Sequence, residues 1–151
     1  MIAFEKSVGA VIFRRENNKI YYLLLKYRNG HWDFPKGHVE NDEVEEETMA
    51  REVKEETGIN DLKIIPGFSE KIRFFYRAKG NERERRKAEN RKTMITKRVI
   101  FYLAETFQKE IKLSIEQTDY IWLEFDKALD KITYEKPKKV LKKANKFLEK
   151  S

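Results

Sequence analysis

The sequence predicts an α/β domain, and three features predict it. Runs rich in β-branched, aromatic and leucine residues read as strands at Phe4 to Phe13 and Ile20 to Leu25 and recur after Gly58; an acidic segment from about Val44 to Thr57 reads as a helix between them; and apolar residues repeat at helical spacing near the C-terminus. At 151 residues the chain suits one compact domain, residues 1–151, and is short for two. No internal repeat and no linker divides it.

Taken in order, the first two runs are separated by the polar stretch Arg14 to Lys19, so a hairpin opens the domain. After the Asn29-Gly30 turn, His31 to His38 holds too much Pro and Gly for regular structure, and Asn41-Asp42 supplies a helix start. Gly58 stands where a left-handed cap would close the acidic helix. Leu62 to Tyr76, broken near Pro66-Gly67, then Met94 to Leu103 and Asp119 to Phe125 read as further strands. Residues 78–93 have almost no apolar side chains and are expected as an exposed basic loop or a protruding ribbon. Val140, Leu141, Ala144, Phe147 and Leu148 form the apolar stripe of a C-terminal helix that packs on the sheet, with lysines on its other face.

Composition narrows the chemistry. Hydrophobic residues are 40% of the chain, enough for a core, while 39% charged residues give it a heavily charged surface. No apolar run approaches the roughly 20 residues needed to cross a bilayer, and Val8 to Phe13 meets Arg14-Arg15 too early for a signal peptide. The absence of cysteine excludes a disulfide, a thiolate metal site and a cysteine nucleophile, and suits a cytoplasmic address. The formal charge of +7 is unevenly spread, acidic over Glu40 to Glu56 and basic over Lys79 to Arg98. A polyanion accompanied by a divalent cation would use both regions; on charge alone, a solvated surface with the usual lysines is the simpler explanation.

At about 100° per residue, Glu52, Glu55 and Glu56 fall within one face of roughly 100°, and Glu45 lies two turns earlier on that face. Like charges this close repel by several tenths of a kcal/mol per pair, so a compensating cation is expected. Mg²⁺ or Mn²⁺ takes oxygen ligands and shares them with phosphate and water. Met49, Ala50 and Val53 on the opposite side give the helix an apolar face, leaving the acidic face toward a cleft. An ordinary solvated helix explains three glutamates by themselves.

The surrounding residues change that balance. Gly37, Glu43, Arg51-Glu52-Val53, Glu55-Glu56 and Gly58-Ile59 meet every specified position of the signature G-x5-E-x7-R-E-U-x-E-E-x-G-U, with U a bulky aliphatic. Chance odds are on the order of 10⁻⁷ from average residue usage. Through residues 37–59 the chain resembles the Nudix hydrolase family. That resemblance implies an α/β/α sandwich with a mixed β-sheet between helices, and hydrolysis of a phosphoanhydride bond in a nucleoside polyphosphate. It implies that Glu52, Glu55 and Glu56 hold the metal, with the backbone carbonyl of Lys36 as a further ligand, and that Arg51 orients a glutamate. Metal in such a site neutralises pyrophosphate and acidifies a water, whose proton a glutamate accepts; Glu52 and Glu55 are the candidates, with Glu116 outside the signature as a third metal or base position.

Beyond the signature, Val11 to Arg15, Tyr22 to Leu25, His31 to Glu40, Gly67-Phe68, Tyr102 to Glu105 and Tyr120 to Leu123 are similar to the family's asymmetric diadenosine tetraphosphate hydrolases, over roughly Ser7 to Leu129. By that likeness the expected reaction yields ATP and AMP, Tyr76 and Tyr120 are candidates to stack adenine, and His31, Lys36 and Lys97 are candidates to meet phosphate. Residues 79–92 depart from the compact connection of that branch, which keeps open a 5′-triphosphorylated or capped RNA substrate, another nucleoside polyphosphate, or a non-catalytic nucleotide- or RNA-binding module. No membrane partner is implied, and the oligomeric state is not legible.

Overall fold

The computed structural model describes residues 2–40, 43–77, 80–89 and 94–150. β1 (Ile2–Glu16) and β2 (Lys19–Tyr27) form the opening hairpin, closed by Asn17 and Asn18 at φ 53° and 65°. Asparagine tolerates that left-handed conformation, and a two-residue turn with both central φ positive matches the twist of the strands it joins. There follow β3 (Trp32–Asp33), β4 (Lys36–His38), α1 (Glu45–Thr57), β5 (Lys63–Arg77), α2 (Gly80–Ala88), β6 (Met94–Glu105), β7 (Gln117–Leu123), α3 (Phe125–Lys131) and α4 (Glu135–Glu149).

One seven-stranded sheet runs β3-β2-β1-β6-β5, with β4 also on β1 and β7 on β2. β1 and β6 pair in parallel from Ile2↔Met94 to Phe13↔Glu105, whereas the other pairings are antiparallel, so the sheet is mixed. Successive side chains of β1 enter different cores. Val8, Ala10 and Ile12 meet Met49 and Val53 of α1, while Val11 and Phe13 meet Ala128 of α3 and Val140, Leu141 and Ala144 of α4. Burial on both faces explains why Val8 to Phe13 is an unbroken apolar run rather than an alternating one. The result is the expected α/β/α sandwich.

The expected Pro66-Gly67 break is an irregularity in β5, where pairing with β6 shifts between Ile64 and Ser69 and Gly67 adopts φ 91°. Several expectations need correction. His31 to His38 is not without regular structure, because β3 and β4 dock on β2 and β1 across Pro35. Gly9 permits that approach: a Cβ there would lie 2.4 Å from the Pro35 carbonyl oxygen. The stretch expected as a basic loop or ribbon holds α2, stabilised by helix-forming Arg, Glu and Lys and by the Glu82–Arg86 pair one turn apart at 3.1 Å. The rest of residues 78–93 lies outside the described residues apart from Glu89. Ala50 is exposed rather than buried with Met49 and Val53. Finally, α1 begins after Val44 with no side-chain cap; Asn41-Asp42 lies outside the described residues.

Candidate active site

A cavity of about 650 Å³ opens where β4, the carboxylate side of α1, β6 and the segment before β7 meet. Glu52, Glu55, Glu56 and Glu116 line it together with His31, Lys36 and Lys97. Residues as far apart in sequence as Ser7 and Glu116 thus share one space.

Glu56 is the most enclosed of the carboxylates, 3% exposed. Its two oxygens accept hydrogen bonds from the Lys36 backbone N–H at 3.0 Å and from Gln117 Nε2 at 2.9 Å. Burial, reinforced by the negative charges of Glu52 and Glu116, pushes its pKa up to about 8. Glu52 is shifted upward for the same first reason, partly offset by Arg51, whose Nη1 donates to it at 2.9 Å. Glu55 is more exposed and receives a longer contact from the same nitrogen, 3.3 Å.

Arg51 is bound to Glu43 by a bidentate pair, Nε to Oε2 at 2.9 Å and Nη2 to Oε1 at 3.0 Å, and also donates to the His38 carbonyl at 3.1 Å. Glu43 in turn accepts the Glu40 N–H and the Thr48 hydroxyl, which ties the loop before α1 to its first turn. These bonds, led by Arg51, hold the Glu43 carboxyl down at about 2. Gly37 has a steric reason to be glycine, since a Cβ would fall 1.9 Å from Glu52 Cδ. Gly58 closes α1 at φ 75°, its N–H donating to the Lys54 carbonyl at 2.9 Å.

The basic wall is coupled to an aromatic one. Lys36 Nζ lies 2.5 Å from Asp33 Oδ2 and over the ring of Tyr27 at 5.4 Å. Burial and the neighbouring Lys36 charge lower the Lys97 pKa, so an anion between the two ammonium groups would be stabilised by both. His31 stacks on Tyr27 with centroids 4.8 Å apart and 5° between planes, and burial together with Lys36 lowers its pKa. Beside it lies a second hollow of about 350 Å³, lined by His31, Lys36, Phe74, Tyr134 and Lys136 among others.

Tyr76 and Tyr120 do not line either space. Tyr120 sits opposite Leu25 on β7 and packs half-buried toward α1, while Tyr76 lies opposite Ile95, near Glu5 and Glu82. Tyr27 and Tyr134 flank His31 instead. Sequence reasoning missed both, along with Gln117 as the partner of Glu56. Tyr27 was discoverable as the residue at the end of β2 that opens the His31 turn, but no spacing rule connects Gln117 or Tyr134 to α1. Glu45 leaves the acidic face: it accepts hydrogen bonds from Lys6 and the Tyr102 hydroxyl, each at 2.6 Å.

The donor set suits a hard divalent cation. It is all oxygen, contains no thiol, and has two carboxyls whose pKa values are raised by burial and by the charges of neighbouring carboxylates, a cost that a cation relieves. Among the described residues no group of three or more acidic or histidine side chains is placed to hold a metal ion by itself. The cavity that Glu52, Glu55, Glu56 and Glu116 line is open, so a cation there would share its coordination with phosphate and water.

Residues 3–144 match the family profile described as the NUDIX domain. The chain is 35% identical to the asymmetrical bis(5′-nucleosyl)-tetraphosphatase of Rattus norvegicus across 95% of each protein, and 32% identical to that of Caenorhabditis elegans across 95% of this chain and 96% of the relative. An RNA pyrophosphohydrolase of Xanthomonas campestris is 27% identical over 81% of this chain and 60% of its own length. The crystal structure of a C. elegans Ap4A hydrolase binary complex superposes with a TM-score of 0.80 at 32% identity, over 97% of this chain and 99% of that one. The chain therefore belongs to the Nudix family and is a Nudix hydrolase.

Proposed function

We propose that this enzyme hydrolyses diadenosine tetraphosphate asymmetrically, to ATP and AMP. The observation that carries the reading is a single cavity lined both by four carboxylates and by His31, Lys36 and Lys97, in a chain 35% identical to an asymmetrical tetraphosphatase over nearly its whole length. In this reading the polyphosphate lies in that cavity, and one adenine occupies the hollow beside Tyr134, Phe74 and His31.

Glu52, Glu55 and Glu56 would hold Mg²⁺ or Mn²⁺, with the Lys36 carbonyl and Glu116 as further donors. When bound, the ion neutralises the polyphosphate and makes a water more acidic. Arg51 does not touch the substrate; it positions Glu52 from a guanidinium fixed by Glu43. Lys36 and Lys97 stabilise negative charge on the leaving portion. Glu52 and Glu55 are the candidates to accept the proton of the attacking water, as is Glu116, which lines the same cavity.

The second reading is removal of pyrophosphate from an RNA 5′ end, favoured by the likeness to RNA pyrophosphohydrolases. Pure protein incubated with Mg²⁺ and diadenosine tetraphosphate, ATP or 5′-triphosphorylated RNA in parallel, with products resolved by ion exchange, separates the two. Equal ATP and AMP support the first reading. Two ADP contradict it, and turnover of RNA alone establishes the second.

A further inference from the structure

The face of the sheet on which α1 packs extends past the N-terminal end of that helix, to a stretch where no residue of the catalytic cavity lies. Beyond the end of α1, β1, β6 and β5 present their outward residues in rows fixed by register. Phe4 pairs with Thr96 and Thr96 with Phe75; one step along, Lys6 pairs with Arg98 and Arg98 with Arg73. Phe4 is 81% exposed and Phe75 62%, and a depression of about 340 Å³ is lined by Phe4, Glu5, Lys6, Arg73, Thr96 and Arg98, with the Glu5 carboxylate already paired to Arg86. Lys97 of the catalytic cavity, one residue from both Thr96 and Arg98, points to the opposite face of the sheet.

We propose that this face is a docking platform for single-stranded RNA, separate from the catalytic cavity and independent of what that cavity hydrolyses. Single exposed aromatics are ordinary, but here two stand in one row with only a short threonine between them. The cationic row runs alongside at about 7 Å, two residues further along each strand. A nucleotide separates its base from its phosphate by one sugar, so bases on Phe4 and Phe75 place phosphates at Arg98 and Arg73. Lys6 is paired with Glu45, the carboxylate at this end of α1, whereas Arg73 and Arg98 form no side-chain ion pair among the described residues. A second copy of the chain is a poor occupant, because face-to-face association would oppose two arginine rows. Exposed bases and phosphates complement both rows at once.

The test uses 5′-hydroxyl dodecauridylate labelled at its 3′ end, which offers the cavity no 5′-phosphate, in a fluorescence-anisotropy titration of the full chain. Wild type should bind with a log–log salt slope of about −1.4, matching roughly two phosphate contacts to a single strand. Phe4→Ala/Phe75→Ala should weaken binding at least about tenfold, and Arg73→Gln/Arg98→Gln should weaken it and flatten the slope by about 1.4. Nucleotide hydrolysis and the melting temperature should stay at wild-type values in both. The proposal is overturned if the oligonucleotide does not bind at low salt, if both double variants bind like wild type, or if only Lys97→Gln abolishes binding. It is also overturned if sedimentation shows a dimer that Phe4→Ala/Phe75→Ala dissociates.

Discussion

Arg51 meets Glu43 with two nitrogens and reaches Glu52 with a third contact, so a single planar guanidinium sets the position of a cavity carboxylate. A lysine keeps the charge and loses the fork. Arg51→Lys is expected to lower turnover about tenfold to a hundredfold and to raise the Mg²⁺ concentration needed for half-maximal rate, as is typical when a residue supporting a ligand is lost. A Mg²⁺ titration of initial rates checks this; an unchanged half-maximal concentration would remove Arg51 from its positioning role. Tyr134 is expected to act differently. If adenine stacks there, Tyr134→Ala should raise KM for diadenosine tetraphosphate by about fivefold or more while kcat changes little, measured by steady-state kinetics.

Glu43 and Glu56 respond to pH with opposite sign. The Glu43 pKa lies below its ordinary value, so its contribution to stability is present above about pH 4.5 and is lost as pH falls toward 2. The Glu56 pKa lies above its ordinary value, so its contribution is complete below about pH 4.5 and is lost as pH rises through about 8. Metal-free protein should accordingly melt at a lower temperature at pH 8.5 than at pH 5.5. Mg²⁺ should raise the melting temperature more at pH 8.5, where the carboxylate proposed to hold it is ionised. Equal Mg²⁺ shifts at both pH values would contradict a cation at Glu56.

Among the elements, α1 was the most legible. Its length, its Gly58 cap and its buried Met49 and Val53 follow from spacing and cap chemistry, and only the exposed Ala50 departs. Helix α2 was hidden because polar composition alone does not distinguish a solvated loop from a helix held by pairs one turn apart. Its anchor is Arg86, 4% exposed, which donates to Glu5 on β1 and Glu82 on its own helix, each at 3.1 Å. Burial of one arginine in a helix otherwise covered by solvent gives a local rather than global contribution. Arg86→Ala should accelerate amide exchange across residues 80–88 and leave β1 and β6 protection near wild type. Uniform acceleration throughout the sheet would mean that α2 unfolds only with the whole domain. Helix α3 escaped notice because seven residues give too little periodicity to read.

For the molecule as a whole, parity along β1 distributes side chains between two cores, and the site forms where α1 meets the β1–β4 edge. The signature made Glu52, Glu55, Glu56 and Gly37 legible because their contacts are local or run between neighbouring segments, as the Glu52–Gly37 approach illustrates. Gln117 and Tyr134 were not legible, because only tertiary pairing of β7 with β2 and the approach of the turn before α4 bring them to Glu56 and His31. Glu56 is the residue where the local signature and the long-range contacts meet. The most direct test measures diadenosine tetraphosphate turnover in Mg²⁺ by Glu56→Gln beside Glu45→Gln, with melting curves for both. Glu56→Gln should keep a folded protein and lose at least about a hundredfold in rate, while Glu45→Gln, on the same helix but outside the cavity, should stay within about threefold of wild type. Wild-type turnover by folded Glu56→Gln would contradict a metal-holding role for Glu56.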